Sequence, residues 1–108
     1  MNTKLDLNNL LKQAKSMQSQ MELAQKELAK VIVTGEAGGG LVKIDMDGRH
    51  AVILVWIDPS LLGAENKEFV QDLLRAAFNN ALQKIEQASR QKITELSTQI
   101  QTDFIDTE

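Results

Sequence analysis

The sequence contains no cysteine among its 108 residues, and aromatic residues make up only 4% of it. The absence of cysteine excludes disulfide bonds, thiolate nucleophiles and zinc–thiolate sites, and it fits a reducing compartment. No stretch approaches the roughly 18 apolar residues that a membrane span needs, and the N-terminus lacks the continuous apolar segment of a signal peptide. The sequence therefore favours a cytoplasmic protein without a membrane partner.

The residues that enzymes use are also scarce. His50 is the single histidine, and its neighbours supply neither a catalytic partner nor a second metal ligand. The glycine-rich stretch 35–40 is followed by a strand pattern rather than by the Gly-Lys-Ser/Thr and helix of a phosphate-binding loop. Alternation and turn chemistry explain Asp45, Asp47 and Asp58 without a cation. We therefore predict no enzymatic activity, no cofactor, no metal site and no small-molecule substrate.

The chain length and charge distribution predict one domain with a short tail. A chain of 108 residues falls within the range of a single domain, which we assign to residues 1–102. The formal net charge is −3, and the last six residues carry three acids and no base. We predict that 103–108 form an acidic, flexible tail.

Two long helices are predicted from hydrophobic periodicity. From Leu7 to Val31 the apolar residues recur at alternating steps of three and four, which is a heptad pattern without glycine or proline. From Phe69 to Ala88 a wider apolar stripe predicts a second helix, whose first half belongs to the core. Beyond Ala88 the stripe thins, which is typical of an arm that leaves the globular body.

Between the helices the periodicity changes to that of strands. β-branched residues at 31–34, alternation at 41–47 and the apolar run 51–57 predict three antiparallel strands. Residues 35–40 are predicted as a loop, and Asp47-Gly48 as a tight turn. The fold class is therefore α+β: a long N-terminal helix, a three-stranded antiparallel sheet and a long C-terminal helix.

The third strand is apolar on both faces, which predicts a dimer. We expect the helices to cover one face and a second copy of the chain to cover the other. A small domain with long helices also gains by completing its core through association. The residues expected in the core or dimer interface are Val55, Trp56, Ile57, Leu74 and Phe78.

The other candidate functional feature is basic charge on the helices. With Leu7 at heptad position a, Lys12 and Lys15 lie away from the apolar seam, free to meet solvent or phosphate. If the helices run antiparallel, the start of the first lies beside the end of the second. The basic residues gathered there would be Lys4, Lys12, Lys15, Lys84, Arg90 and Lys92. The alternative is that these are ordinary solubilising charges, partly paired with acids.

Three blocks of the sequence resemble the YbaB/EbfC family. They are residues 33–44 (VTGEAGGGLVKI), 57–62 (IDPSLL) and 72–81 (DLLRAAFNNA), in the family's order. This resemblance implies a bacterial nucleoid-associated protein, a homodimer with a central sheet and protruding, tweezer-like paired helices. It also implies that the partner is duplex DNA, with effects on nucleoid organisation and gene expression. The family's DNA-binding surface is attributed to the helices, and Lys12 comes nearest to a match with a motif.

The residues and the resemblance together predict DNA binding by a homodimer, mainly through phosphates contacted by the six basic residues. Two alternatives remain open. One is a protein–protein adaptor that docks through Leu54 and Trp56 of the apolar third strand. The other is a holding chaperone resembling prefoldin, which would grip unfolded chains through apolar residues near the helix tips, namely Leu7, Leu10, Ile100 and Phe104.

Overall fold

Two helices flank a three-stranded antiparallel sheet, as the sequence predicts. The structure, a computed structural model, describes the backbone of residues 3–106 and the side chains of residues 6–98. Helix α1 spans Thr3–Ala29, and strands β1 (Ile32–Ala37), β2 (Val42–Asp47) and β3 (Val52–Ile57) follow. Two short 3₁₀ turns, Pro59–Leu61 and Ala64–Asn66, lead into helix α2, which spans Lys67–Asp106. The molecule is elongated, measuring 78 × 24 × 15 Å.

The sheet has the order β1-β2-β3, so that β2 is central and β3 is an edge strand. Gly35 pairs with Ile44 on one side of β2, and Val55 pairs with Ile44 on the other. A bulge between Asp45 and Met46 shifts the register of β3. Because side chains alternate along a strand, one face of the sheet carries Val42, Ile44 and Met46 of β2, and these three residues are buried.

The core lies between that face and the first half of α2. Ala77, Ala81 and Ile85, spaced four residues apart along one face of α2, are fully buried against the sheet. Small residues on α2 bring the helix very close to β1. A Cβ atom at Gly35 would overlap the carbonyl oxygen of Ala77 and the side chain of Ala81. Glycine at position 35 therefore permits the helix to rest on the strand backbone.

The prediction for the glycine-rich stretch 35–40 was wrong in part. Residues 35–40 were expected to form a loop, but Gly35, Glu36 and Ala37 belong to β1 and pair with β2. The turn comprises only Gly38 to Leu41, and all three of its glycines have positive φ. The predicted tight turn after Asp47 is confirmed: the Asp47 carboxylate accepts hydrogen bonds from the backbone N–H groups of Arg49 (2.8 Å) and Ala51 (3.1 Å).

The expectation for the third strand was wrong in one respect. The helices were expected to cover one face of β3, but its residues Val52 to Trp56 are exposed on both faces. The reason is geometric, since α2 lies over β1 and β2 and leaves the edge strand uncovered. Val55, Trp56 and Phe78 are consequently outside the core of the protomer, whereas Ile57 and Leu74 are half-buried at its border.

A continuous α2 joins the body to an arm. Beyond the buried Ile85 the helix leaves the sheet and runs beside α1 in the opposite direction, so that Met17 and Met21 of α1 face Ile93 and Leu96 of α2 across a shallow apolar groove. Residues 6–23 of α1 are all exposed. The helix continues to Asp106, four residues into the segment predicted as a tail, and residues 107–108 lie outside the described part of the chain.

Candidate functional site

The outward face of α1 carries a row of lysines. At about 100° per residue, Leu7, Leu10, Met17 and Met21 share one side of the helix, and Lys12, Lys15, Lys26 and Lys30 share the opposite side. The lysines are all exposed. Among the described side chains only Lys30 of this row makes an ion pair, with Glu27 at 3.2 Å. Unpaired cations on an exposed helical face are suited to binding an anionic partner.

Lys12 and Lys15 lie together, as predicted. They border a shallow groove of about 310 Å³ with Asn8, Asn9 and Leu11. One helical turn separates the two ammonium-bearing residues, so both can reach adjacent anionic groups. The side chain of Lys4 lies outside the described residues, although its backbone belongs to α1.

Lys84 does not join this cluster. Its Nζ donates a hydrogen bond to the carbonyl oxygen of Thr34 in β1 at 2.8 Å, which places it over the sheet. The prediction placed Lys84 with the residues of the arm because the sequence does not show where α2 leaves the sheet. The helix reaches the arm only after Ile85, which is still fully buried in the core.

Arg90 and Lys92 lie on the arm but on different flanks of α2. Two residues apart on a helix, they point roughly 160° away from each other when measured around the axis. Each has a glutamate within about one turn, Glu86 before Arg90 and Glu95 after Lys92. The positive charge of α2 is therefore balanced locally, and the basic surface of the arm is on α1.

Two basic residues outside the predicted set of six lie at the base of the arm. Lys26 and Arg49 line one groove of about 470 Å³ with Glu22, Gln25, Leu28 and Gly48. Lys26 shares the heptad position of Lys12, and periodicity alone predicts that it points away from the apolar seam. Arg49 could not be found in this way, because only the folded chain brings the β2–β3 turn to α1.

A second surface combines the edge strand with one flank of α2. Asn80 of α2 accepts a hydrogen bond from the backbone N–H of Glu36 at 3.0 Å, so this side of the helix faces β1. Around the helix axis Leu74 lies about 120° and Phe78 about 160° from Asn80, so both point away from the side that faces β1. Val55 and Ile57 project from the same face of the sheet as the buried Val42 and Ile44, which is the face that α2 covers. These four residues, Val55, Ile57, Leu74 and Phe78, are called the edge surface below.

The free side of β3 lacks the features that protect edge strands. Its sequence, VILVWI, contains no proline and no charged residue. On the outer face of the sheet Leu54 and Trp56 adjoin polar side chains, with the Lys43 ammonium group 5.8 Å from the centre of the Trp56 ring and Thr34 Oγ1 donating to Asp45 at 2.6 Å. An exposed apolar edge of this kind is typical of an interaction surface.

Other types of site have little support. Within residues 6–98, no group of three histidine, aspartate or glutamate side chains is arranged to hold a metal ion. No helix in the described part of the chain is long and apolar enough to cross a membrane. The surfaces that stand out are the basic face of α1 and the edge surface.

The chain is an α+β protein with an antiparallel two-helix arm, a basic outer face on the α1 side of that arm and an apolar sheet edge. Comparison with known proteins gives the family: residues 1–100 match the model of the YbaB/EbfC DNA-binding family. The chain belongs to this family.

Individual relatives agree with the family match. The chain is 48% identical over 92 residues to proteins called nucleoid-associated protein in Legionella pneumophila strains Corby and Paris, an alignment that covers 85% of this chain and 81% of each relative. The crystal structure of an uncharacterised protein of Helicobacter pylori superposes with a TM-score of 0.56 at 32% identity, covering 76% of this chain and 92% of that one.

Proposed function

We propose that this protein is a non-enzymatic, nucleoid-associated DNA-binding protein that contacts the phosphates of duplex DNA through the outward face of α1. The observation that carries the proposal is the pair Lys12 and Lys15, exposed and without an ion-pair partner among the described side chains on a protruding arm. Phosphate contacts from lysine give affinity with little sequence preference. Family membership supplies the identity of the anion, and binding in the nucleoid would act on its organisation and on gene expression.

The functional unit is a homodimer. Val55, Ile57, Leu74 and Phe78 are apolar residues that the protomer leaves exposed or half-exposed, and β3 is an edge strand with free backbone hydrogen-bonding groups on one side. A second copy offers the same strand and the same apolar flank, so a two-fold interface satisfies both at once. Dimerisation also doubles the number of lysines that engage one DNA duplex, which increases affinity through a high effective concentration.

A titration against duplex DNA at several salt concentrations tests the proposal. The test variant is Lys12→Gln with Lys15→Gln. The matched control is Lys67→Gln with Arg75→Gln, which removes the same charge at the body end of α2, where both side chains are exposed. Because log K falls by roughly 0.9 per phosphate contact for each decade of salt, losing both lysines from both protomers would make the slope shallower by about 3.6.

The expected result is tight binding by the wild type at low salt, much weaker binding by the arm variant, and near-normal binding by the control. Absence of wild-type binding at low salt would contradict the proposal. Equal losses in the arm variant and the control would show that net charge matters and the α1 face does not.

The alternatives predict different results in the same titration. A prefoldin-like chaperone is favoured by the exposure of Leu7 and Leu10, which are 59% and 61% accessible. It would hold unfolded protein with little dependence on salt. An adaptor whose dimer docks a protein partner through Leu54 and Trp56 would bind DNA weakly or not at all, even at low salt.

A further inference from the structure

We infer that the DNA-contacting surface continues from the arm to the body, with Lys26 and Arg49 forming a second phosphate-binding site at the base of α1. The inference rests on the proposed function and extends it to residues on a different element of the fold. It depends on a tertiary contact between the β2–β3 turn and α1.

The turn is fixed against α1 by Gly48. A Cβ atom at this position would overlap the carbonyl oxygen of Leu28, so glycine permits the turn to touch the last turn of α1 directly. Within the turn, the Asp47 carboxylate accepts two backbone hydrogen bonds, from Arg49 and Ala51, and the Asp47 carbonyl oxygen accepts a third from His50 at 2.9 Å. The backbone of Arg49 therefore has a defined position beside α1.

The side chains of Lys26 and Arg49 are available for an external anion. Both residues are exposed, and neither forms an ion pair within 4.0 Å among the described side chains. Asp47 is the acid nearest to Arg49 in sequence, and its Oδ1 accepts hydrogen bonds from the backbone N–H groups of Arg49 and Ala51 rather than from the Arg49 guanidinium. The two cations border a concave groove rather than a flat surface, and a groove allows two donors to converge on one phosphate.

The groove also contains an opposing charge. Glu22 lies one turn before Lys26 and lines the same groove. A single carboxylate against two cations leaves the lining of the groove with a net positive charge. The negative C-terminal end of the α1 helix dipole lies near Leu28. It reduces the positive charge of the groove further, but it also attracts the cationic side chain of Arg49.

The spacing along α1 suits duplex DNA. Lys15 and Lys26 are eleven residues apart in the sequence, which corresponds to about 16 Å along the helix axis. The major groove is about 12 Å wide, so the two cationic pairs can reach phosphates on either side of it.

The test is a double variant, Lys26→Gln with Arg49→Gln, assayed in the same salt titration as the arm variant and the control. The expected result is a salt dependence shallower than that of the wild type, by about 1.8 in slope if the pair on each protomer neutralises one phosphate. Combining the base and arm variants should remove most of the salt dependence. The thermal unfolding midpoint of the base variant should match that of the control, since both lysine and arginine are exposed.

Two results separate this inference from the proposed function. If the arm variant weakens binding and the base variant has the wild-type slope, the second site does not exist and the proposed function stands. If the wild type does not bind DNA at low salt, both are overturned. If the base variant binds weakly but unfolds at a lower temperature, the single variants Arg49→Lys and Arg49→Gln are compared. A wild-type salt slope for Arg49→Lys supports phosphate contact. A salt slope for Arg49→Lys as shallow as that of Arg49→Gln shows a structural role.

Discussion

Replacing Val55 with lysine is expected to dissociate the proposed dimer without unfolding the protomer. Val55 lies on the edge strand, pairs with Ile44 and is still 48% exposed. Burying an entire valine side chain contributes about 1.5–3 kcal/mol, so burying the remaining half contributes about 1 kcal/mol per copy. A two-fold interface contains the residue twice, which gives about 2 kcal/mol for the dimer.

The lysine adds an electrostatic cost to this loss. Desolvating an unpaired ammonium group in an interface costs several kcal/mol if the group cannot reach water. Taking about 2 kcal/mol for partial desolvation, the total reaches roughly 4 kcal/mol, which weakens dimerisation about 1,000-fold. In the isolated protomer the long lysine side chain can extend from the open edge into solvent, so the fold should be retained.

Sedimentation equilibrium over a concentration series measures this change. The matched control is Ile32→Lys, an equally drastic change at a residue 59% exposed on β1, the opposite edge of the sheet. Trp56, the single tryptophan of a chain without tyrosine, provides a fluorescence signal from β3 itself. The reasoning is refuted if Val55→Lys remains dimeric at the wild-type concentration, or if Ile32→Lys dissociates as readily.

Three further predictions concern packing, pH and the C-terminus. Gly35→Ala should lower the free energy of unfolding by about 3 kcal/mol and the melting temperature by 10 °C or more, because the new methyl group overlaps the backbone of α2. Hydrogen bonds from the Ser60 side chain and backbone lower the pKa of Asp58, so Asp58→Ala should destabilise the protein above the ordinary aspartate pKa, and the difference should disappear as the pH falls through the lowered value. A chain ending at Gln101, which lacks two aspartates and a glutamate, should bind DNA more tightly at low salt.

The packing prediction has a matched control, and each of the three has an opposing outcome. Gly63→Ala, where φ is −100° and the nearest atom belongs to the flexible Glu65 side chain, should be tolerated. A stable Gly35→Ala protein would contradict the packing of α2 on β1. A constant gap between the melting temperatures of wild type and Asp58→Ala down to pH 2 would contradict the pKa argument. Unchanged affinity of the shortened chain would show that the acidic residues do not compete with phosphate.

The sequence was sufficient to predict the helices and strands but not how closely they pack. The heptad seam from Leu7 and the turn at Asp47-Gly48 are local patterns, and both were predicted correctly. Gly35 was assigned to a loop because glycine is common in turns. Its role in β1 depends on a helix more than forty residues later in the chain, which no local pattern reveals. The open faces of β3 also escaped prediction, because apolar composition shows that a strand needs cover and not which element provides it.

In the candidate site, too, local patterns predict some features and only folding reveals the others. Lys12, Lys15 and Lys26 can be assigned to one helical face from their spacing alone. Lys84 was misplaced because the point at which α2 leaves the sheet depends on packing around Ile85. Arg49 was missed because its proximity to Lys26 arises from a turn and a helix that are adjacent only after folding.

In the proposed dimer, the uninterrupted course of α2 would make the interface between the two copies a determinant of arm spacing. From Lys67 to Asp106 the helix contains neither glycine nor proline, so no hinge separates the part that packs on the sheet from the part that forms the arm. The arm therefore moves as a lever attached to the body. A rotation of about 10° at the interface would displace a tip roughly 30 Å away by about 5 Å. Substitutions at the edge surface could thus change the gap between two arms, and with it the diameter of the object held, without altering any residue of the arms.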